Sequence, residues 1–220
     1  MNVEQARFNM IEQQIRPWDV LDPAVLALLG RLRREDFVPA AHRALAFVDT
    51  QVPLTDRADG ACMLEPKVEA RLLQELRLQP GDRVLEVGTG SGFMAALLAG
   101  LAGQVITLEI DAALARQAEE KLCHAGITNA RVVHADGHDG LAAQGPYDAI
   151  VLSGSVAAVP QTLLQQLKPG GRLVAVVGEL PIMRARLHTR GAGASWSHVD
   201  LFDTVAPRLL NFGEPSRFRF

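Results

Sequence analysis

The chain has 220 residues, 48% of them hydrophobic and 21% charged, with a formal net charge of −3. That length and apolar content suit one domain with a sizeable core. The slightly acidic balance, without a basic stripe, argues against a phosphate-neutralising surface for DNA or RNA.

The opening MNVEQARFNMIEQQIRP carries acids early and has no apolar run before a small-residue cleavage site, so it does not read as a signal peptide. No stretch approaches the roughly 18–20 apolar residues of a membrane span. The expected location is the cytoplasm, where Cys62 and Cys123, far apart in sequence, would remain free thiols.

Val3 to Ile15 reads as a helix ended by Pro17. Asp22-Pro23 supplies a cap and a first-turn proline for a second helix, reaching about Leu32. Phe37-Val38-Pro39 breaks the pattern, Ala40 to Ala46 adds a helical turn, and Asp56 to Gly60 is a polar loop. Pro66 opens a further helix in which Val68, Leu72, Leu73 and Leu76 recur at helical spacing.

Beyond Pro80 the texture becomes alternating strand and helix. The strands are RVLEV (Arg83 to Val87), QVITLEI (Gln104 to Ile110), ARVVH (Ala130 to His134), YDAIVL (Tyr147 to Leu152) and RLVAVV (Arg172 to Val177). Asp111 caps the helix that follows the second of them. Short apolar strands separated by helices imply a parallel sheet buried on both faces. ARLHTR and WSHVDLFDTV then form an antiparallel hairpin closing one edge. The expected fold is α/β: a Rossmann-like, doubly wound, mostly parallel sheet with an antiparallel C-terminal hairpin and an N-terminal helical extension.

The strongest local signal is LEVGTGSGF, Leu85 to Phe93. Its glycines fall after a strand and before a helix, where a backbone without Cβ atoms can approach a ligand and helix N–H groups are free. A dinucleotide fingerprint would need glycine where Phe93 stands. The G-x-G-x-G spacing, preceded by Glu86, looks instead like motif I of class I methyltransferases. There the acid on the strand orients the amino group of the methionine moiety. Glu109, 21 positions after Gly88, ends the second strand and can accept hydrogen bonds from both ribose hydroxyls. Asp136-Gly137 follows the third strand and can meet the adenine amino group.

Taken together, GACMLEPKVEARLLQEL, PGDRVLEVGTGSGFMAALLA, ADGHDGL, PYDAIVLSGSV and PQTLLQQLKPGGRLVAVVG resemble the protein-L-isoaspartate O-methyltransferase family, as does RREDFVPAAHRALAFVDTQVPL upstream. The resemblance runs from about Phe8 to Leu210. It implies a single methyltransferase domain over 1–220, with 1–79 a helical and substrate-loop region and 80–220 the cofactor-binding core. It further implies that S-adenosylmethionine, with S-adenosylhomocysteine as product, is held by Glu86, Gly88, Thr89, Gly90, Ser91, Gly92, Glu109, Ile110, Asp136, Gly137 and Ser153. The acceptor is then a carboxylate of damaged aspartyl residues in a protein or peptide. A carboxylate is already ionised near neutrality, so its methylation needs orientation rather than a general base.

The substrate loop departs from the family. Where the family reads Thr-Ile-Ser-Gln-Pro, this chain reads Cys62-Met63-Leu64-Glu65-Pro66, and the family's Thr-Ala-Ala after the fourth strand is Ser153-Gly154-Ser155. The resemblance thus puts Leu64 and Glu65 at the catalytic, substrate-facing positions. A different acceptor such as a small metabolite, or a cofactor binder without turnover, stays open at this point. His134, Asp136, His138 and Asp139 lack the spacing of a helical zinc motif and read as a loop, so no metal is expected. His42 reads as a surface histidine, Trp18 and Trp196 as covers for core edges, and the terminal SRFRF as an edge strand or docked tail. Oligomeric state leaves no trace in the sequence.

Overall fold

The computed structural model describes residues 2–57, 60–193 and 195–213; the terminal SRFRF lies outside them. The N-terminal region begins with α1 (Val3–Met10), whose helix loosens into a π segment over Ile11–Ile15 and tightens into a 3₁₀ turn at Arg16–Trp18. A single uninterrupted helix was expected there. The wide turn keeps Ile11 and Ile15 both buried ahead of Pro17, which ends the run. In α2 (Pro23–Arg31), Asp22 Oδ1 accepts from the Ala24 and Val25 amides at 2.8 and 3.3 Å, so the cap and first-turn proline work as the sequence suggests. A short antiparallel pair, β1 (Val52–Pro53) and β2 (Cys62–Met63), then leads into α3 (Pro66–Leu76). Val68, Leu72, Leu73 and Leu76 are at most 1% exposed, so the apolar stripe of α3 is wholly interior.

The remaining elements are β3 (Arg83–Val87), α4 (Phe93–Ala99), β4 (Gln104–Glu109), α5 (Ala112–His124), β5 (Ala130–His134), β6 (Tyr147–Val156), α6 (Gln161–Gln165), β7 (Leu167–Glu179), β8 (Ile182–Arg190) and β9 (Trp196–Thr204). They build a seven-stranded sheet in the order β5-β4-β3-β6-β7-β8-β9. The first five strands are parallel; β8 and β9 add the antiparallel hairpin expected at the edge. The doubly wound reading of the sequence therefore holds.

Alternation along each central strand feeds two cores. Val84, Val105, Ala149 and Val151 join the larger cluster with the N-terminal helices, α3 and α4, while Leu85, Ile106, Ile150 and Leu152 join the cluster on the opposite face. β5 differs from the expectation of a strand buried on both faces: it is the sheet edge, and Arg131 and His134 are exposed. Chain order reverses at β3, with β4 on one side and β6 on the other, which opens a crevice at the strands' carboxyl ends.

Candidate active site

The loop from β3 to α4 forms the floor of that crevice. Its Gly88 and Thr89 amides donate to the Leu108 carbonyl at 2.9 and 3.2 Å, binding the loop to the end of β4. Gly88, Gly90 and Gly92 have φ of +91°, +51° and +85°, values that favour glycine. Their surroundings separate them. A Cβ on Gly88 would stand 2.9 Å from Leu209 and one on Gly90 would stand 2.9 Å from Leu54, both residues of the crevice wall. One on Gly92 would press on Ala118 of α5, so the third glycine serves helix packing.

Glu109 stands at the end of β4, 6% exposed. Its Oε2 accepts from the Gly90 amide at 2.8 Å and its Oε1 from the Asp111 amide at 3.0 Å. The carboxylate thereby fixes the glycine loop and keeps a lone pair on each oxygen for a ligand. Across the crevice, Asp136 Oδ1 accepts from the His138 amide (2.9 Å) and Oδ2 from Asn211 Nδ2 (2.7 Å). These bonds, the His138 amide foremost, hold its carboxyl below the usual range. Gly137 lies so close to Val87 that any Cβ would overlap it.

Glu86 does not line the crevice. It shares the face of Val84 rather than that of Leu85, and it is completely buried. Its Oε1 accepts from Ser153 Oγ and its Oε2 from Thr107 Oγ1, each at 2.7 Å, and Thr107 Oγ1 lies 2.5 Å from Thr89 Oγ1. Burial pushes the Glu86 carboxyl up to about 8, against the pull of those hydroxyls. Ser153 is therefore the crevice-facing end of a buried chain of polar groups. The β6–β7 ladder slips between Val151 and Ser155, which lets Ser153 and Gly154 bulge into the crevice wall.

Of the residues expected at the site, the structure brings Gly88, Gly90, Glu109, Ile110, Asp136, Gly137 and Ser153 into the lining of one crevice. Thr89, Ser91 and Gly92 stand behind it with Glu86, buried under the loop. Leu64 and Glu65 are displaced from the role their positions implied. The Leu64 side chain is packed in the larger core, and its carbonyl accepts from the buried Arg34 Nη2 at 2.9 Å. Glu65 turns toward Gln51, whose Nε2 lies 3.4 Å from both carboxylate oxygens. The preceding residues, Ala61 and Cys62, reach the crevice instead. The Cys62 thiol is pushed up to about 12 by burial and by Glu65 and Glu69, so it stays protonated.

Two parts of the wall were not foreseen. One is the loop bearing Leu54 and Arg57; Arg57 donates to Asp111 Oδ2 at 2.5 Å. The other is the segment after β9. Its Pro207 carbonyl accepts from the Ser155 amide (2.7 Å), its Leu209 amide donates to the Ser155 carbonyl (2.9 Å), and Leu209 lies over Gly88 and Gly154. Asn211 holds Asp136, and the buried Phe212 meets the His138 ring edge-on at 5.3 Å. Nothing periodic in residues 205–213 signals this; only the long-range pairing with Ser155 sets it. His134 and His138 are engaged elsewhere, at the Ile110 carbonyl and Asp139. His42 lies outside the crevice lining, and Trp18 packs edge-on against Phe202.

The profile of the Protein-L-isoaspartate(D-aspartate) O-methyltransferase family matches residues 5–194. The chain belongs to that family. The isoaspartate O-methyltransferase of Herpetosiphon aurantiacus is 40% identical over 210 residues, 96% of this chain and 92% of its own. That of Koribacter versatilis is 39% identical over 187 residues, covering 85% and 83%. In fold, the chain superimposes on a Plasmodium falciparum protein of this kind, solved in complex with S-adenosyl-L-homocysteine, with a TM-score of 0.78. The overlap covers 95% of this chain and 98% of the other at 20% identity. As a member of the isoaspartate O-methyltransferase family, the chain is an S-adenosylmethionine-dependent methyltransferase. Its crevice suits that donor: apolar walls, paired acids at Glu109 and Asp136, and glycines where a Cβ would narrow the space.

Proposed function

We propose that this protein methylates a carboxylate of damaged aspartyl residues in proteins, in the cytoplasm. The observation that carries the reading is the Glu109-bound glycine loop at the switch point of the sheet, within a chain that follows the isoaspartate methyltransferases over nearly its whole length. When bound, S-adenosylmethionine supplies a methyl group on a positively charged sulfur. Glu109 would hold the ribose hydroxyls, Asp136 and the Gly137 backbone would meet the adenine, and Ser153 would face the amino-acid end. Glu86 acts through Ser153: a carboxyl that accepts the Ser153 hydroxyl proton leaves that oxygen's lone pairs turned to the crevice. The protein supplies position and exclusion of water, which suffices for an acceptor that is already an anion.

One observation favours a second reading, transfer to a different acceptor. The position at which the family resemblance expects a serine hydroxyl is a leucine packed in the core. The assay that separates the two supplies S-adenosylmethionine and an isoaspartyl peptide and measures released S-adenosylhomocysteine. Turnover that disappears with the ordinary aspartyl peptide supports repair of damaged protein; equal rates without any peptide, or none with it, overturn that reading. Glu109→Ala should weaken S-adenosylhomocysteine binding, measured by calorimetry, by about 1.5–3 kcal/mol, the range for hydrogen bonds to a charged group. Unchanged affinity would remove Glu109 from the cofactor site.

A further inference from the structure

We propose that Arg57 is the group that holds the acceptor carboxylate in this protein. The inference rests on the carboxylate-acceptor reading above and adds the residue that recognises the acceptor.

A groove lined by Gln51, Pro53 and Thr55 adjoins the crevice, and Arg57, Ala61 and Cys62 line both spaces. Arg57 thus stands between the groove, where an acceptor chain could lie, and the crevice that holds the glycine loop. The crevice itself presents three acids, Glu109, Asp111 and Asp136. A further anion arriving among them is repelled unless a cation stands beside it. Arg57 and Arg208 are the cations lining the crevice among the described residues, and Arg208 donates through Nη2 to the Gly178 carbonyl at 3.1 Å. Arg57 alone of these lines the adjoining groove too.

Its chemistry and mounting suit the task. A guanidinium offers five N–H donors in a planar fork that fits a carboxylate bidentately, and it can serve two carboxylates together. Arg57 is more than half exposed, so a ligand can reach it, while its contact with Asp111 Oδ2 already turns the head toward the crevice. Asp111 is fixed in turn as the cap of α5, accepting from the Ala113 and Leu114 amides. The backbone amide of Arg57 lies 3.4 Å from Thr55 Oγ1, a local turn that helps set the loop. The loss of the hydroxyl at the expected position then has an explanation. With Leu64 in the core and Glu65 turned to Gln51, recognition passes to a charged residue seven positions before Leu64, on the loop between β1 and β2.

The test compares binding of an isoaspartyl peptide with that of the same peptide carrying a carboxamide at the acceptor carboxylate. Calorimetry is done on protein saturated with S-adenosylhomocysteine, for wild type, Arg57→Met and Arg57→Lys. Wild type should prefer the acid at least tenfold. Arg57→Met should bind acid and amide equally, and Arg57→Lys should retain part of the preference. Each protein is titrated at an S-adenosylhomocysteine concentration first shown to saturate it, so the acid-to-amide ratio separates recognition of the acceptor from any change at the cofactor site. A full acid preference in Arg57→Met overturns the role of Arg57 and leaves the carboxylate-acceptor reading standing. Equal binding of acid and amide by wild type overturns that reading, and the role of Arg57 with it.

Discussion

Glu86 illustrates how a residue's type and its direction carry separate information. Its position before the glycines reads as a ligand for the methionine moiety, yet alternation from Val84 sends the side chain into the sheet's larger core face, alongside Thr107. That direction was available from the strand pattern, because residues two apart share a face. The outcome has a thermodynamic signature. The carboxyl titrates at about 8 in the folded protein, well above an ordinary glutamate at 4.5, chiefly because it is desolvated. Between those values the native state keeps a proton that the unfolded chain has lost, so folding stability contributed by this group falls as pH rises from about 4.5 to about 8. Glu86→Gln keeps the shape and hydrogen-bonding capacity without the titration. Its stability relative to wild type, from urea unfolding at pH 5.5, 6.5 and 7.5, should improve by up to about 1.4 kcal/mol per pH unit. A difference independent of pH would mean that the buried carboxyl titrates as an exposed one does.

Elements with a period or a cap could be read directly. Asp22-Pro23, Asp111 and the stripe of α3 fix three helices, and the apolar runs fix the strands, because each signal acts within a few residues. The crevice's roof obeys no such local rule. Residues 205–213 are placed by hydrogen bonds to Ser155, some fifty positions earlier, and by Leu209 seated on two glycines. The loop before α3 fails for a related reason. Its resemblance to the family implies a substrate-facing side chain at Leu64, while the packing of Arg34 against that loop turns the side chain inward. Reintroducing a serine there therefore has a different consequence from restoring a lost hydroxyl. Leu64→Ser would open a cavity in the larger core and bury a hydroxyl, a loss of about 2–5 kcal/mol by comparison with large-to-small core changes. Chemical denaturation should show that loss, with no gain in turnover of an isoaspartyl peptide by the folded fraction. A stable variant with faster turnover would show that position 64 faces the acceptor after all.

At the scale of the molecule, the N-terminal helices and the sheet share one interior. The larger cluster includes Met10, Ile15, Val25 and Phe37 from the helical region, and Val84, Val151, Val174 and Ala185 from the sheet. Arg34 is the polar tie within it. Its side chain is 2% exposed; Nε donates to the Ala46 carbonyl at 3.1 Å, Nη2 to the Leu64 carbonyl at 2.9 Å and Nη1 to Glu69 of α3, with the guanidinium 4.8 Å from the Phe93 ring centre. One side chain thus links the N-terminal region, the loop that brings Ala61 and Cys62 to the crevice, α3 and the first residue of α4. We expect residues 1–79 and 80–220 to unfold as one unit, because separating them would expose this cluster and leave Glu69 without its cation. Arg34→Met removes the tie while keeping bulk. Breaking a buried pair from one side costs about 3–5 kcal/mol, which for a chain of this size lowers Tm by roughly 6–20 °C. Scanning calorimetry should show a single transition in both proteins, displaced as a whole in the variant. Two separated transitions, with only the lower one moved by the substitution, would make the helical region a domain of its own and deny it the part assigned to it here in holding the crevice.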